Sequence, residues 1–208
     1  MSEYITVFGE ATAEYVEKRS KFIATVRHCE CEEDAVAFVN EMRSKYWDAR
    51  HNVFAYSVKK GSLCRFSDDG EPHGTAGKPI LDVIQGSSVT DVAIVVTRYF
   101  GGVLLGTGGL VRAYSKSSKD ALESVKKVQM IPCTVFEIVC EYSDHTRLLS
   151  LLENSGGCIQ NTDFSDKVNI TFYLQDTVVS DFKEKLRETF SAKITANELE
   201  NKVSPYEI

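Results

Sequence analysis

No stretch of this 208-residue chain stays apolar long enough to cross a membrane. Runs such as Val-Ala-Ile-Val-Val at 92–96 fall far short of the ~20 residues a spanning helix needs, and no membrane partner is expected. The first residues, MSEYITVFGEATAEYVEKRSKF, show charges and alternation where a secretory signal would show a basic start, an apolar block and a small-residue cleavage site, so a cytoplasmic location is expected. Disordered and repetitive tracts are missing as well. With 43% hydrophobic and 26% charged residues, the composition is that of a globular chain that buries its own core. Regular cysteine spacing is absent: the thiols at 29, 31, 64, 133, 140 and 158 read as reduced. His28-Cys29-Glu30-Cys31 lacks the second ligand pair of a zinc site and reads as a strand end running into a helix. No metal or cofactor is expected. Excess positive charge is lacking too. Residues 1–130 hold 17 Lys+Arg against 17 Asp+Glu, net 0, and residues 131–208 hold 7 against 13, net −6. Neither is the basic body of a strong nonspecific nucleic-acid binder, so any RNA contact must be local.

Periodicity supplies the elements. The opening 28 residues alternate as strands of a small antiparallel sheet, broken at Gly9 and at the polar turn 17–21. Ala35, Phe38, Val39, Met42 and Tyr46 follow helical spacing; 51–58 returns to a strand; Pro79 suits the first turn of a short helix, KPILDVIQ, closed by Gly86. Residues 91–100 are apolar on both faces in their first half, which places them centrally in a sheet covered on both sides. A long helix runs from about Leu110 with a basic face of Arg112, Lys116 and Lys119. After Pro132 the rhythm restarts: a strand through Phe136, Ile138, Cys140 and Tyr142, a helix with Ser143 as a cap and Gly156-Gly157 as its stop, then a hairpin. A helix through Val179–Phe190 and a last strand near 193–203 complete a β-α-β-β-α-β order, the split βαβ, ferredoxin-like pattern.

Two glycine-rich segments carry the candidate chemistry. In Ser67–Leu81, SDDGEPHGTAGKPIL, the acids and His73 offer hard ligands, but Asp-Asp-Gly and Glu-Pro are also turn chemistry, and a shaped loop is the preferred reading. Gly74 and Gly77 let backbone amides approach a ligand, and Lys78 sits where a helix begins, so an anion can dock there. In GGVLLGTGGLVRAY, a glycine loop feeding a helix would expose free N–H groups beside Arg98, Thr107 and Arg112; Gly101, Gly102, Gly108 and Gly109 serve either an anion site or close packing. The segment matches neither the phosphate-loop nor the dinucleotide pattern. Tyr99 and Phe100 beside Arg98 suit base stacking or core capping. No catalytic constellation can be assigned; were the chain an enzyme, His51, Asp69, Glu71 and His73 would be its acid and base candidates.

Four of these blocks, RSKF at 19–22, ARHNVFAY at 49–56, SDDGEPHGTAGKPIL at 67–81 and TRYFGGVLLGTGGLVRAY at 97–114, together resemble the IMPACT family in its bacterial, YigZ-type form. The tail from about 135 resembles the extra C-terminal domain of those members. The resemblance implies an α+β chain in two domains. Residues 1–131 would take the two-layer left-handed βαβ fold of a small-subunit ribosomal protein, of GHMP kinases and of elongation factor G domain four. Residues 132–208 would be ferredoxin-like, as is that factor's fifth domain. It further implies a regulatory role in translation, through RNA, the ribosome or a translation factor; eukaryotic relatives regulate translation under amino-acid starvation by competing for an activator of a stress kinase. The competing readings are a hydrolase of small phosphorylated or peptide-like substrates around His51, Asp69, Glu71 and His73, and an interaction module using the acidic residues 131–208.

Overall fold

Left-handed backbone positions cut the N-terminal segment into strands. The computed structural model describes residues 3–207; Met1, Ser2 and Ile208, the outer ends of the two expected domains, lie outside the described residues. Strand β1 (Tyr4–Phe8) stops at Gly9, where φ is +78°, and β2 (Glu10–Glu17) turns through Lys18 and Arg19, at φ +45° and +68°, into β3 (Ser20–His28). Then follow α1 (Glu32–Lys45), β4 (His51–Val58), β5 (Leu63–Ser67), α2 (Gly77–Gly86), β6 (Val92–Tyr99) and α3 (Gly106–Ser124). The sheet order is β2-β3-β6-β4-β5, with every pair antiparallel. Strands β3 and β4 both oppose β6 and so run parallel to each other, joined by the α1 crossover.

Strand β6 is buried from Val92 through Arg98, and both of its faces must be covered. On one side Ala35, Phe38, Val39 and Met42 of α1 pack on Tyr56, Val58, Ala93 and Val95. On the other, Ile80 and Ile84 of α2 and Leu110, Ala113 and Tyr114 of α3 pack on Phe22, Ala24, Val53, Ala55, Ile94 and Val96. Helices therefore cover both faces of this sheet, because a strand apolar on both faces leaves neither to solvent. Three expectations change. Strand β1 does not pair with β2 but with the later strand β7 (Lys126–Cys140). Strand β5 was not legible, being a half-exposed edge without alternation. Helix α2 has Pro79 in its first turn as expected, but α3 starts earlier than Leu110, so Gly106, Thr107, Gly108 and Gly109 form a helical first turn, not a loop.

The chain divides into two compact units between Gln129 and Met130. It passes Pro132 inside β7, which had begun six residues earlier, at Lys126. Next come α4 (Tyr142–Asn154), β8 (Cys158–Phe164), β9 (Val168–Gln175), α5 (Val179–Thr189) and β10 (Asn197–Glu207). The order across the sheet is β10-β7-β9-β8, the ferredoxin-like arrangement. Phe136, Ile138, Leu148, Leu152, Ile170, Phe172, Phe182 and Leu186 form its core. Strand β7 ends at Cys140, so Tyr142 opens α4 instead of continuing the strand, and Ser143 lies inside the helix and does not cap it; the cap position is Glu141, with no side-chain bond. The stop falls where expected, with Gly156 at φ +70° and the Gly157 N–H donating to the Leu152 carbonyl at 2.8 Å. Strand β10 starts at Asn197 because the apolar Ile194 before it is buried in the core instead of paired. Among the described residues no helix is long and apolar enough to cross a membrane.

Candidate functional site

The first glycine segment folds around one carboxylate. Gly77 opens α2 where a Cβ would sit 2.7 Å from the Ser67 carbonyl, so only glycine lets the helix start press on the end of β5. The amides freed at that helix start turn inward. Asp68 Oδ1 accepts the N–H groups of Ala76 at 3.1 Å and Gly77 at 2.8 Å, and Oδ2 accepts that of Gly74 at 2.8 Å. Burial pushes the Asp68 carboxyl up, but the Gly74, Gly77 and Ala76 amides prevail and hold it below its ordinary value. The anion expected at Gly74 and Gly77 is therefore supplied from within, and Lys78 is engaged by Asp82. This corrects the open-nest expectation for these three residues: a helix N-terminus attracts negative charge, and the nearest source is the chain itself.

A pH prediction follows. A carboxyl whose folded pKa is depressed contributes stability that is complete above its unfolded pKa of ~3.9 and is lost as pH falls through the lower folded value. Asp68→Asn is expected to destabilise the first unit by about 1–2 kcal/mol at neutral pH. In an acid-unfolding series followed by circular dichroism, the gap between variant and parent should close below the ordinary carboxylate range. A gap independent of pH would refute this role for Asp68.

Beside this loop lies a buried charged cluster. The loop clasps the start of β4: Asp69 Oδ2 accepts the Asn52 N–H at 2.7 Å, its Oδ1 pairs with Arg43 at 2.9 Å, and its carbonyl lies 2.8 Å from His51 Nδ1. A carbonyl only accepts, so Nδ1 carries the proton and leaves Nε2 facing Glu71 Oε1 at 4.0 Å. That oxygen accepts Arg98 NH1 at 2.6 Å and the Tyr114 hydroxyl at 2.7 Å. Glu71 and Arg98 are both buried, with side chains 4% and 7% exposed. The Arg98 guanidinium also lies 5.5 Å from the Phe22 ring and 5.7 Å from that of Phe100. Burial, and then the Glu71 charge, push the Tyr114 hydroxyl far above its ordinary pKa, so it remains a donor. Of the four acid and base candidates, His51, Asp69 and Glu71 come together; His73, wholly exposed, turns away and sits 3.7 Å from Asp68. Chemically the cluster is a brace tying the 68–76 loop to β4, β6 and α3.

The second glycine segment divides in two. Gly101 donates its N–H to Ser20 Oγ at 3.1 Å and lies so close to the β2–β3 turn that a Cβ would meet the Arg19 carbonyl carbon at 2.0 Å; Gly102 turns the chain at φ +83°. Tyr99 donates its hydroxyl to Asp48 at 2.7 Å. Gly108, Gly109 and Thr107 stand in the first turn of α3, and Arg112 lies one turn on, exposed. Arg112, Lys116 and Lys119 line a groove of about 540 Å³ with Tyr15, Glu17 and Val83; a smaller groove of about 290 Å³ adjoins it through Val83 and Lys119 and ends at Lys127. The two glycine segments thus meet through Glu71 and Tyr114, with Arg98 beside them, and not through a shared set of free amides. The sequence reading missed the capping by Asp68, the Tyr114 bond and the place of Asp48. Only the last had a nearby signal, an acid beside Arg50 at the start of a strand.

Comparison with known proteins gives two domain matches, to the Impact N-terminal domain over residues 18–122 and to a domain of unknown function (DUF1949) over residues 138–193. The chain is 40% identical over 174 residues to the IMPACT family member YigZ of Escherichia coli, covering 82% of this chain and 85% of that protein. It is 33% identical over 96 residues to Protein IMPACT of Mus musculus, covering 43% of this chain and 30% of that protein. A crystal structure described as that of a hypothetical protein matches with a TM-score of 0.63 at 35% identity, over 96% of this chain and 98% of that one.

Proposed function

The chain belongs to the IMPACT family, and from that premise we propose that it is a translation-associated regulatory protein whose first unit binds single-stranded RNA of the translation machinery. The observation that carries this reading is the groove beside α3. In a unit whose charge over residues 1–130 sums to zero, Arg112, Lys116 and Lys119 together line a concavity of about 540 Å³. Two of the three have acidic partners, Lys116 with Asp120 at 2.6 Å and Lys119 with Glu123 at 3.7 Å. Both lysines are exposed, and ion pairs open to water are weak enough to exchange for phosphate. The acids of the same face limit the affinity and confine it to the groove. Phosphate contacts of this kind position a strand without reading its sequence.

Neutralising three phosphates on a single strand gives a log–log salt slope of about −2. Titration of the full chain with a labelled single-stranded RNA across a salt series should show that slope, and the triple variant Arg112→Gln, Lys116→Gln, Lys119→Gln should bring it close to zero. Absence of binding even at the lowest salt, or an unchanged slope in the triple variant, would overturn the reading.

A further inference from the structure

A separate concavity of about 240 Å³ opens at the end of β6, lined by Asp48, Arg50, Arg98, Tyr99 and Phe100. It is smaller than the roughly 300–1,000 Å³ of sites that enclose whole small molecules, which suits it to one flat group of a larger ligand. Its chemistry is mixed in a particular way. Phe100 is a half-exposed aromatic ring, 49% accessible, at a strand end. Arg50 is exposed at the rim. Arg98 is buried, spends NH1 on Glu71, and keeps an Nε–H with no acceptor among the described residues. Asp48 is fixed by the Tyr99 hydroxyl, which leaves its remaining lone pairs toward solvent.

We propose that this concavity takes one unstacked nucleotide of a bound RNA: the base on the face of Phe100, which the buried Arg98 guanidinium backs at 5.7 Å, the sugar-phosphate oxygens toward Arg50, and an exocyclic amine toward Asp48. The inference rests on the RNA reading above and adds a base-recognition site to it. An aromatic face accepts any base, the exposed Arg50 guanidinium donates hydrogen bonds to its phosphate, and a carboxylate accepts hydrogen bonds from the amine of adenine or cytosine, where uracil presents the acceptor O4. The same carboxylate would repel an acidic peptide, the other ligand that an exposed arginine and an aromatic ring attract.

The test compares fluorescein-labelled oligo(A) and oligo(U) of equal length, bound to the full chain at one salt concentration. The parent should prefer oligo(A), and Asp48→Asn should remove the preference. Phe100→Ala, at an exposed position, should weaken both by about tenfold while leaving the salt slope unchanged, since stacking releases no counterions. Binding by the parent without base preference, together with an unaffected Phe100→Ala variant, overturns this pocket and leaves the groove standing. No RNA binding by the parent, or binding of a Glu-Tyr copolymer in its place, overturns both.

Discussion

Glu71→Ala is expected to cost the first unit about 3–5 kcal/mol, because it leaves a buried guanidinium without its counter-charge. Arg98 is 7% exposed at the side chain and sits between the rings of Phe22 and Phe100, so it cannot swing out to water without opening the core. The same substitution strands the Tyr114 hydroxyl, which is held in the core of α3 and has Glu71 as its acceptor. Tyr114→Phe removes only that second bond and should cost about 1 kcal/mol. The decisive comparison is Glu71→Leu with Arg98→Met in one chain: removing both charges eliminates the unpaired ion and should recover most of the loss. Scanning calorimetry on the four proteins measures this. A double variant as unstable as Glu71→Ala would show that shape, not charge pairing, sets the cost.

Gly101→Ala should be as damaging for a different reason. The added methyl would lie 2.0 Å from the Arg19 carbonyl carbon, 2.2 Å from its oxygen and 2.3 Å from the Ser20 nitrogen, all of them backbone atoms. No rotamer relieves such an overlap, so either the β2–β3 turn or the start of the 101–105 segment must move, at a cost of about 4 kcal/mol or more. Gly102 is the control. A Cβ there meets nothing within 4 Å, and only the left-handed φ of +83° opposes it, so Gly102→Ala should lose about 1–2 kcal/mol. Equal losses at the two positions, measured by urea unfolding, would refute the claim that contact governs the first and backbone conformation the second.

These cases mark what was legible beforehand. Strands β4 and β6 stood out because burial on both faces makes a continuous apolar run, and α1 because one-sided burial imposes helical spacing. The ferredoxin-like order followed from period alone, most plainly in β9, where Val168, Ile170, Phe172 and Leu174 are buried at every second position. The glycines were visible but not what lies over them: Gly77 faces Ser67 and Gly101 faces Arg19, contacts that no local spacing encodes. Likewise Glu71 reaches Arg98 across 27 positions and Tyr114 across 43. His73 and Glu71 are two residues apart in the chain, yet one is wholly exposed and the other buried, because the turn at 72–75 sends them opposite ways.

Asp68 occupies the amides of Gly74, Ala76 and Gly77 from only six to nine positions away. A carboxylate tethered that closely is present at an effective concentration of millimolar or higher, whatever the solution outside contains. Dissolved phosphate or sulfate must displace it rather than fill an empty seat, so the beginning of α2 should remain indifferent to such ions at ordinary physiological levels.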